Sequence, residues 1–226
     1  MIAGGSLQTL IALTSPAYPV GGFSYSHGLE TAIDDGRVRD ADGVASYVGA
    51  VMTRGGGWVD AVLFHHIWDA ADNEERLDEL SAFAAAFRGS SETALESRQM
   101  GQSFLQVTRR AWPHALLDAF ARRHDGRPVA HVAVGALACA AYGIPRRTAL
   151  TAWLHATAAN LVSAGVRLVP LGQTDGQIAI ARLAPVIDRM VERAGTTAVD
   201  DLGTAAPAIE LASLAHETLY TRLFRS

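Results

Sequence analysis

The chain contains no lysine: all 19 of its basic residues are arginine. That absence removes the phosphate loop of GxxxxGK[ST] type, whose lysine grips the terminal phosphates. It also removes Schiff-base and pyridoxal chemistry, which need a primary amine. There is one cysteine, Cys139, so no disulfide can form within the chain, and a cytoplasmic location is expected. Set in VAVGALACAAY, Cys139 reads as a small buried hydrophobe rather than a nucleophile. Paired cysteines and HExxH are both missing, so no zinc signature exists. Charged residues make up 19% of the chain, its net charge is −4, and it has no basic run. Nucleic-acid binding, which depends on phosphate neutralisation, is not expected. No apolar run reaches the length of a membrane span, and the opening MIAGGSLQTL lacks the basic region of a secretory signal.

What is present is helical. At 226 residues and 49% hydrophobic content the chain suits one domain with a sizeable core. Its low charge fraction suggests apolar surface covered by a partner. Apolar residues recur at intervals of three and four, and no period-two strand is convincing. The expected fold is all-α, a single-domain bundle of about ten helices. Helices are expected from Leu7 to Ala12, Tyr25 to Ile33, Asp42 (as N-cap) to Met52 and Trp58 to Ala70, with a break at Gly55 to Gly57. Asp72 with Glu75 forms a capping-box pattern for the next, and Ser90 or Ser91 caps one that runs to Ala111. Another is expected from Pro113 to near Gly126. Val129 to Tyr142 is small and apolar all round, which marks a buried helix. Leu150, Leu154, Thr157, Leu161, Ala164 and Leu168 stripe the helix after Pro145. Further helices are expected over Gln177 to Arg193 and Ala205 to Leu214, joined by a loose stretch from Gly195 to Ala206 that frees the C-terminal segment to move.

Three polar islands interrupt this pattern. The first, PVGGFSYSHGLE, carries Gly21, Gly22, Ser24, Tyr25, His27 and Glu30. Ser24 can cap the following helix, but Tyr and His add nothing as caps, so the cluster reads as a binding surface. The second, RLVPLGQTDGQ, joins Asn160 and Arg167 to Pro170, Gln173, Asp175 and Gln177 around an expected Asp-Gly turn. A solvated corner needs no such set of side-chain amides. The third, HETLYTRLFRS, alternates apolar and basic groups: His216, Glu217, Tyr220, Arg222, Leu223 and Phe224. A free terminus frays, whereas this composition suits a segment that orders against a partner.

Catalytic and metal readings are weaker. Ser24 or Ser26 beside His27 is a conceivable nucleophile and base, making a small helical hydrolase one alternative; GFSYS lacks the closing Gly of a nucleophile elbow. His65 and Asp69 stand one helical turn apart, yet two ligands are too few for a divalent ion, so solvated histidines are expected. Arg98 with Glu96 and Gln102 reads as a solvated helix face, and Trp58 and Trp153 as core or interface anchors.

These islands, in this order and at these ends, together with SRQMGQSFL, resemble the UreF family of urease accessory proteins over nearly the whole chain. The resemblance implies a non-enzymatic nickel-insertion chaperone that acts as a homodimer. It implies the accessory proteins UreD/UreH and UreG and apo-urease as partners, with nickel only in transit and GTP only on UreG. Gly21, Gly22, Ser24, Tyr25, His27, Glu30, Asn160, Arg167, Pro170, Gln173, Asp175 and Gln177 would then belong to the GTPase or dimer face. Residues 1–15 and 205–226, with His216, Glu217, Tyr220, Arg222, Leu223 and Phe224, would dock UreD/UreH. A helical interaction module unrelated to nickel is the other alternative.

Overall fold

The computed structural model describes residues 4–226, so residues 1–3 of the expected N-terminal docking segment lie outside the described residues. Those residues form eleven α-helices and no strand: α1 (Gly4–Leu13), α2 (Leu29–Asp34), α3 (Ala41–Arg54), α4 (Gly56–Asp69), α5 (Glu74–Ala86), α6 (Ser91–Ala111), α7 (Ala115–Arg123), α8 (His131–Ala141), α9 (Arg146–Leu168), α10 (Gln173–Ala194) and α11 (Pro207–His216). The fold is all-α and single-domain.

At its centre lies α8, where every residue from Val132 to Cys139 is buried. Its side chains are mostly Ala and Val, which lets α4 and α6 press against it from two sides and α9 from a third. Close approach at one crossing has a definite cause: a Cβ on Gly101 of α6 would sit 2.2 Å from the Val129 carbonyl oxygen. Larger rings fill the space around this thin helix. Phe104 meets Tyr18, Trp153 and His131 at centroid distances of 4.8, 5.9 and 5.4 Å, and the Tyr18 hydroxyl bonds the Thr108 hydroxyl at 2.8 Å. Trp153 is core, as expected, while Trp58 is buried beneath the Arg193 guanidinium at 4.5 Å. The α9 stripe turns inward through Leu150, Leu154, Leu161 and Ala164.

Several boundaries differ from the sequence reading, each for a local reason. The helix expected from Tyr25 begins only at Leu29, because His27 and Gly28 both adopt left-handed backbone angles (φ 53° and 75°). Asp40, not Asp42, caps α3 by accepting the Gly43 N–H, and Asn73, not Asp72, caps α5 by accepting that of Arg76. The break at Gly55 to Gly57 is one residue long, since α4 resumes at Gly56. Ser90 forms a capping box with Thr93. The loose stretch from Gly195 is tethered: His66 Nε2 meets the Thr197 carbonyl at 2.8 Å and the Ala205 N–H donates to Arg54. Burial pushes the Cys139 thiol up to about 12.

Three outcomes follow from this packing. Gly101→Ala should cost about 1–3 kcal/mol by overpacking, read as a lower urea midpoint. Gly56→Ala meets no atom within 4 Å and starts a helix, so stability should hold or rise by up to ~1 kcal/mol. Iodoacetamide should leave Cys139 unmodified near neutral pH until denaturant opens the core, as mass spectrometry would show.

Candidate functional site

The three islands converge. After α1 the chain turns through Gly21 into a single 3-10 turn, Gly22–Ser24, and then runs extended at Tyr25 before the bend at His27 and Gly28. Gly28 must be glycine on two counts. Its φ is positive, and a Cβ there would lie 2.6 Å from the Ser213 nitrogen of α11. The first island is thus seated directly on the C-terminal helix.

The tail is seated on the island in turn. Arg225 donates its N–H to the Ser24 carbonyl at 2.7 Å. The Ser26 N–H and hydroxyl both donate to the main-chain oxygen of Ser226. Glu30, buried at the start of α2, accepts the N–H groups of Leu223 (2.7 Å) and Phe224 (3.0 Å). Its third partner is His216, a fully buried ring at 3.0 Å through Nε2, whose Nδ1 lies 2.7 Å from Glu92 of α6. Arg222 closes the set by donating to Glu92 at 2.7 Å.

The second island joins through α9. Asn160 donates to the Gly22 carbonyl, and Arg167 donates to that of Phe23 at 2.8 Å while its guanidinium lies 4.5 Å over the Phe224 ring. One side chain therefore touches the first island and the tail together. Gln173 and Gln177 are exposed, but they stand on the first turns of α10 and not beside an Asp-Gly turn. The helix starts early because the Asp175 carboxylate accepts the Gly172 N–H, which gives Asp175 a structural duty. Pro170 stays exposed in the link.

This geometry sorts the expected residues. Tyr25, Glu30, His216 and Phe224 point inward, with the Tyr25 hydroxyl donating to Gln99 at 3.0 Å. Gly21, Gly22 and Ser24 are half-buried. Arg167, Gln173, Gln177, Glu217, Tyr220, Arg222 and Leu223 remain at the surface. The sequence reading missed Phe23, which is 66% exposed between two glycines and a serine. An aromatic side chain in so small-residued a turn was the available signal. It also missed Glu96, which is buried rather than solvated and takes both the His27 ring (2.9 Å) and the Ser226 hydroxyl (2.9 Å).

A cleft of about 880 Å³ runs inward from Phe23, Gln173 and Gln177. Its inner wall carries the Asp60–Arg88 ion pair at 3.0 Å, with the Ser97 hydroxyl and the His131 Nε2 unpartnered. Burial would lower His27, but the Glu96 carboxylate outweighs it and the ring is raised. His131 has no such partner; burial, aided by Arg88, pushes it down to about 3. Among the described residues no three His, Cys, Asp or Glu side chains are grouped to hold a metal ion. His65 is buried, not solvated, and Asp69 beside it at 3.5 Å is already paired with Arg146. Nor does Ser26 serve as a nucleophile toward His27: its hydroxyl is bound to Ser226 while the imidazole faces Glu96.

The UreF family profile matches residues 38–184. A urease accessory protein UreF of Granulibacter bethesdensis is 50% identical over 223 residues, covering 98% of this chain and 94% of that one. Proteins of the same name from a Bradyrhizobium species (43%, 99% and 95% coverage) and Agrobacterium fabrum (42%, 98% and 96% coverage) are similar along their lengths. The chain belongs to the UreF family of urease accessory proteins.

The lowered His131 gives a pH prediction. The unfolded ring takes up its proton near 6.5 and the folded one only near 3. Its contribution to stability is therefore complete above about 6.5 and is lost as pH falls toward 3. His131→Phe should flatten the fall in urea midpoint between about pH 7 and pH 4.

Proposed function

We propose that this UreF-family chain is a non-enzymatic urease maturation factor, a scaffold that bridges UreD/UreH and the GTPase UreG during nickel delivery to apo-urease. Nickel is cargo on this reading, and GTP is bound only by UreG. The observation that carries it is the division of labour in the converged islands. Their buried polar groups are consumed in binding one another and α6, and what they leave outside are contact groups.

Two surfaces of different chemistry result. Phe23, Arg167, Gln173 and Gln177 present an aromatic knob, a cation and two amides beside the cleft, which suits a polar partner or a second copy of the chain. Tyr220 and Leu223 of the tail, with Leu211 and Leu214 of α11, present exposed apolar groups, as do Leu7 and Ile11 of α1. Exposed large apolar side chains of this kind suit contact with a protein partner. We assign the first surface to UreG or the dimer and the second to UreD/UreH. Of the hydrolase alternative, Ser26 lacks geometric support, because its hydroxyl is bound to Ser226 and not to His27.

The test uses exposed positions, so folding is preserved. Tyr220→Ala with Leu223→Ala should weaken capture by UreD/UreH about thirtyfold if these are central contacts worth ~2 kcal/mol. Phe23→Ala with Gln173→Ala should spare that capture and weaken UreG recruitment. Both should lower urease activity in cells, with circular dichroism unchanged. Full urease activation in cells lacking the chain would reject the proposal.

A further inference from the structure

The tail's attachment rests on an arrangement of charge that depends on one proton. His216 is fully buried and each of its ring nitrogens faces a carboxylate oxygen, Nε2 toward Glu30 and Nδ1 toward Glu92. A neutral imidazole has one N–H and one lone pair, so it can serve only one of these contacts. The other nitrogen would then point its lone pair at a carboxylate oxygen 3.0 Å away or less, out of water. Only the doubly protonated ring donates to both. With that ring charged, the cluster holds two cations, His216 and Arg222, against two anions, Glu30 and Glu92. With it neutral, a buried carboxylate loses its partner, the costly way to break such a set.

Every element packed on His216 contributes to this balance. Glu30 comes from α2, Glu92 from α6 and Arg222 from the tail. Glu96 of α6 stands one helical turn beyond Glu92 and is paired with His27. Of the acids on α11 and just after it, Glu210 bonds the Thr204 hydroxyl and Glu217 that of Ser91. None of these supplies a second proton donor to the ring. Glu30 is also the acceptor for the Leu223 and Phe224 amides, so the carboxylate that senses His216 is the one that grips the tail.

We propose that Glu30, His216 and Glu92 form a proton-operated clasp, which keeps residues 217–226 docked on the first island while His216 is doubly protonated and releases them as pH rises. The direction follows from linkage: the docked state binds the extra proton, so docking is favoured at low pH and lost on deprotonation. Release would strip Ser24 and Ser26 of their tail partners.

Tyr220 offers a reporter, being fully exposed (103%) within the tail, while the lone Cys139 is buried and will not take a label. A nitroxide on Tyr220→Cys should give an immobilised electron-spin-resonance spectrum near pH 6. Its mobile fraction should grow about tenfold toward pH 9 along a one-proton curve. His216→Gln should abolish that pH response. Glu92→Gln, which removes one anion favouring the charged ring, should move the midpoint to lower pH. A wild-type spectrum unchanged across this range would overturn the clasp, as would an unaltered response in His216→Gln. Should His216→Gln fail to fold by circular dichroism, an unshifted midpoint in Glu92→Gln would overturn it instead.

Discussion

The carboxylate of Glu30 is the contact on which the arrangement of the functional face depends. It sits at the start of α2, directly after a bend that no helix would adopt unaided, and it binds two tail amides and the His216 ring. Buried charge is unfavourable unless each oxygen is fully employed, and here both oxygens are. The first island, the tail and α11 therefore form one cooperative unit: loss of any one leaves the others with unpaired groups. Arg167 and Asn160 extend that unit to α9. A partner that touches the tail from outside meets residues whose backbone is bonded to the loop carrying Phe23.

The rest of the molecule is scaffolding for this face, and its design follows from α8. A helix of small residues at the centre brings α4, α6 and α9 close enough to share one core, with rings of Phe104 and Trp153 making up the volume. The same ring cluster ends at His131, whose neutral side chain borders the polar end of the cleft. Tyr18 and Trp153 of that cluster also line the cleft, so core and cleft share a wall.

Much of this was legible in the sequence, and the failures are instructive. Helix count, the buried character of α8, the inward stripe of α9 and the placement of Cys139 all follow from periodicity and composition, which report burial directly. The islands were recognisable because their residues fit no helical duty. What composition could not reveal is direction. Tyr25, Glu30, His216 and Phe224 were read as side chains for a partner, and they face inward because residues nearly two hundred positions apart meet. Helix starts at Asp42, Asp72, Tyr25 and Gln177 were misplaced where a neighbouring residue made the better cap or where left-handed angles delayed the first turn. Long-range pairing and backbone handedness leave little mark on local pattern.

One feature of the loop carries further than its size suggests. His27 is the one residue other than glycine among those described that takes a positive φ, a conformation that costs an L-amino acid roughly 1–2 kcal/mol. A turn bond from the Leu29 N–H to the Ser26 carbonyl at 3.1 Å offsets part of that cost locally. The bend is held open from outside, by Glu96 on the ring and by α11 and the tail around it. It behaves as a loaded spring whose catch lies at the opposite end of the chain, so its shape reports whether that end is in place.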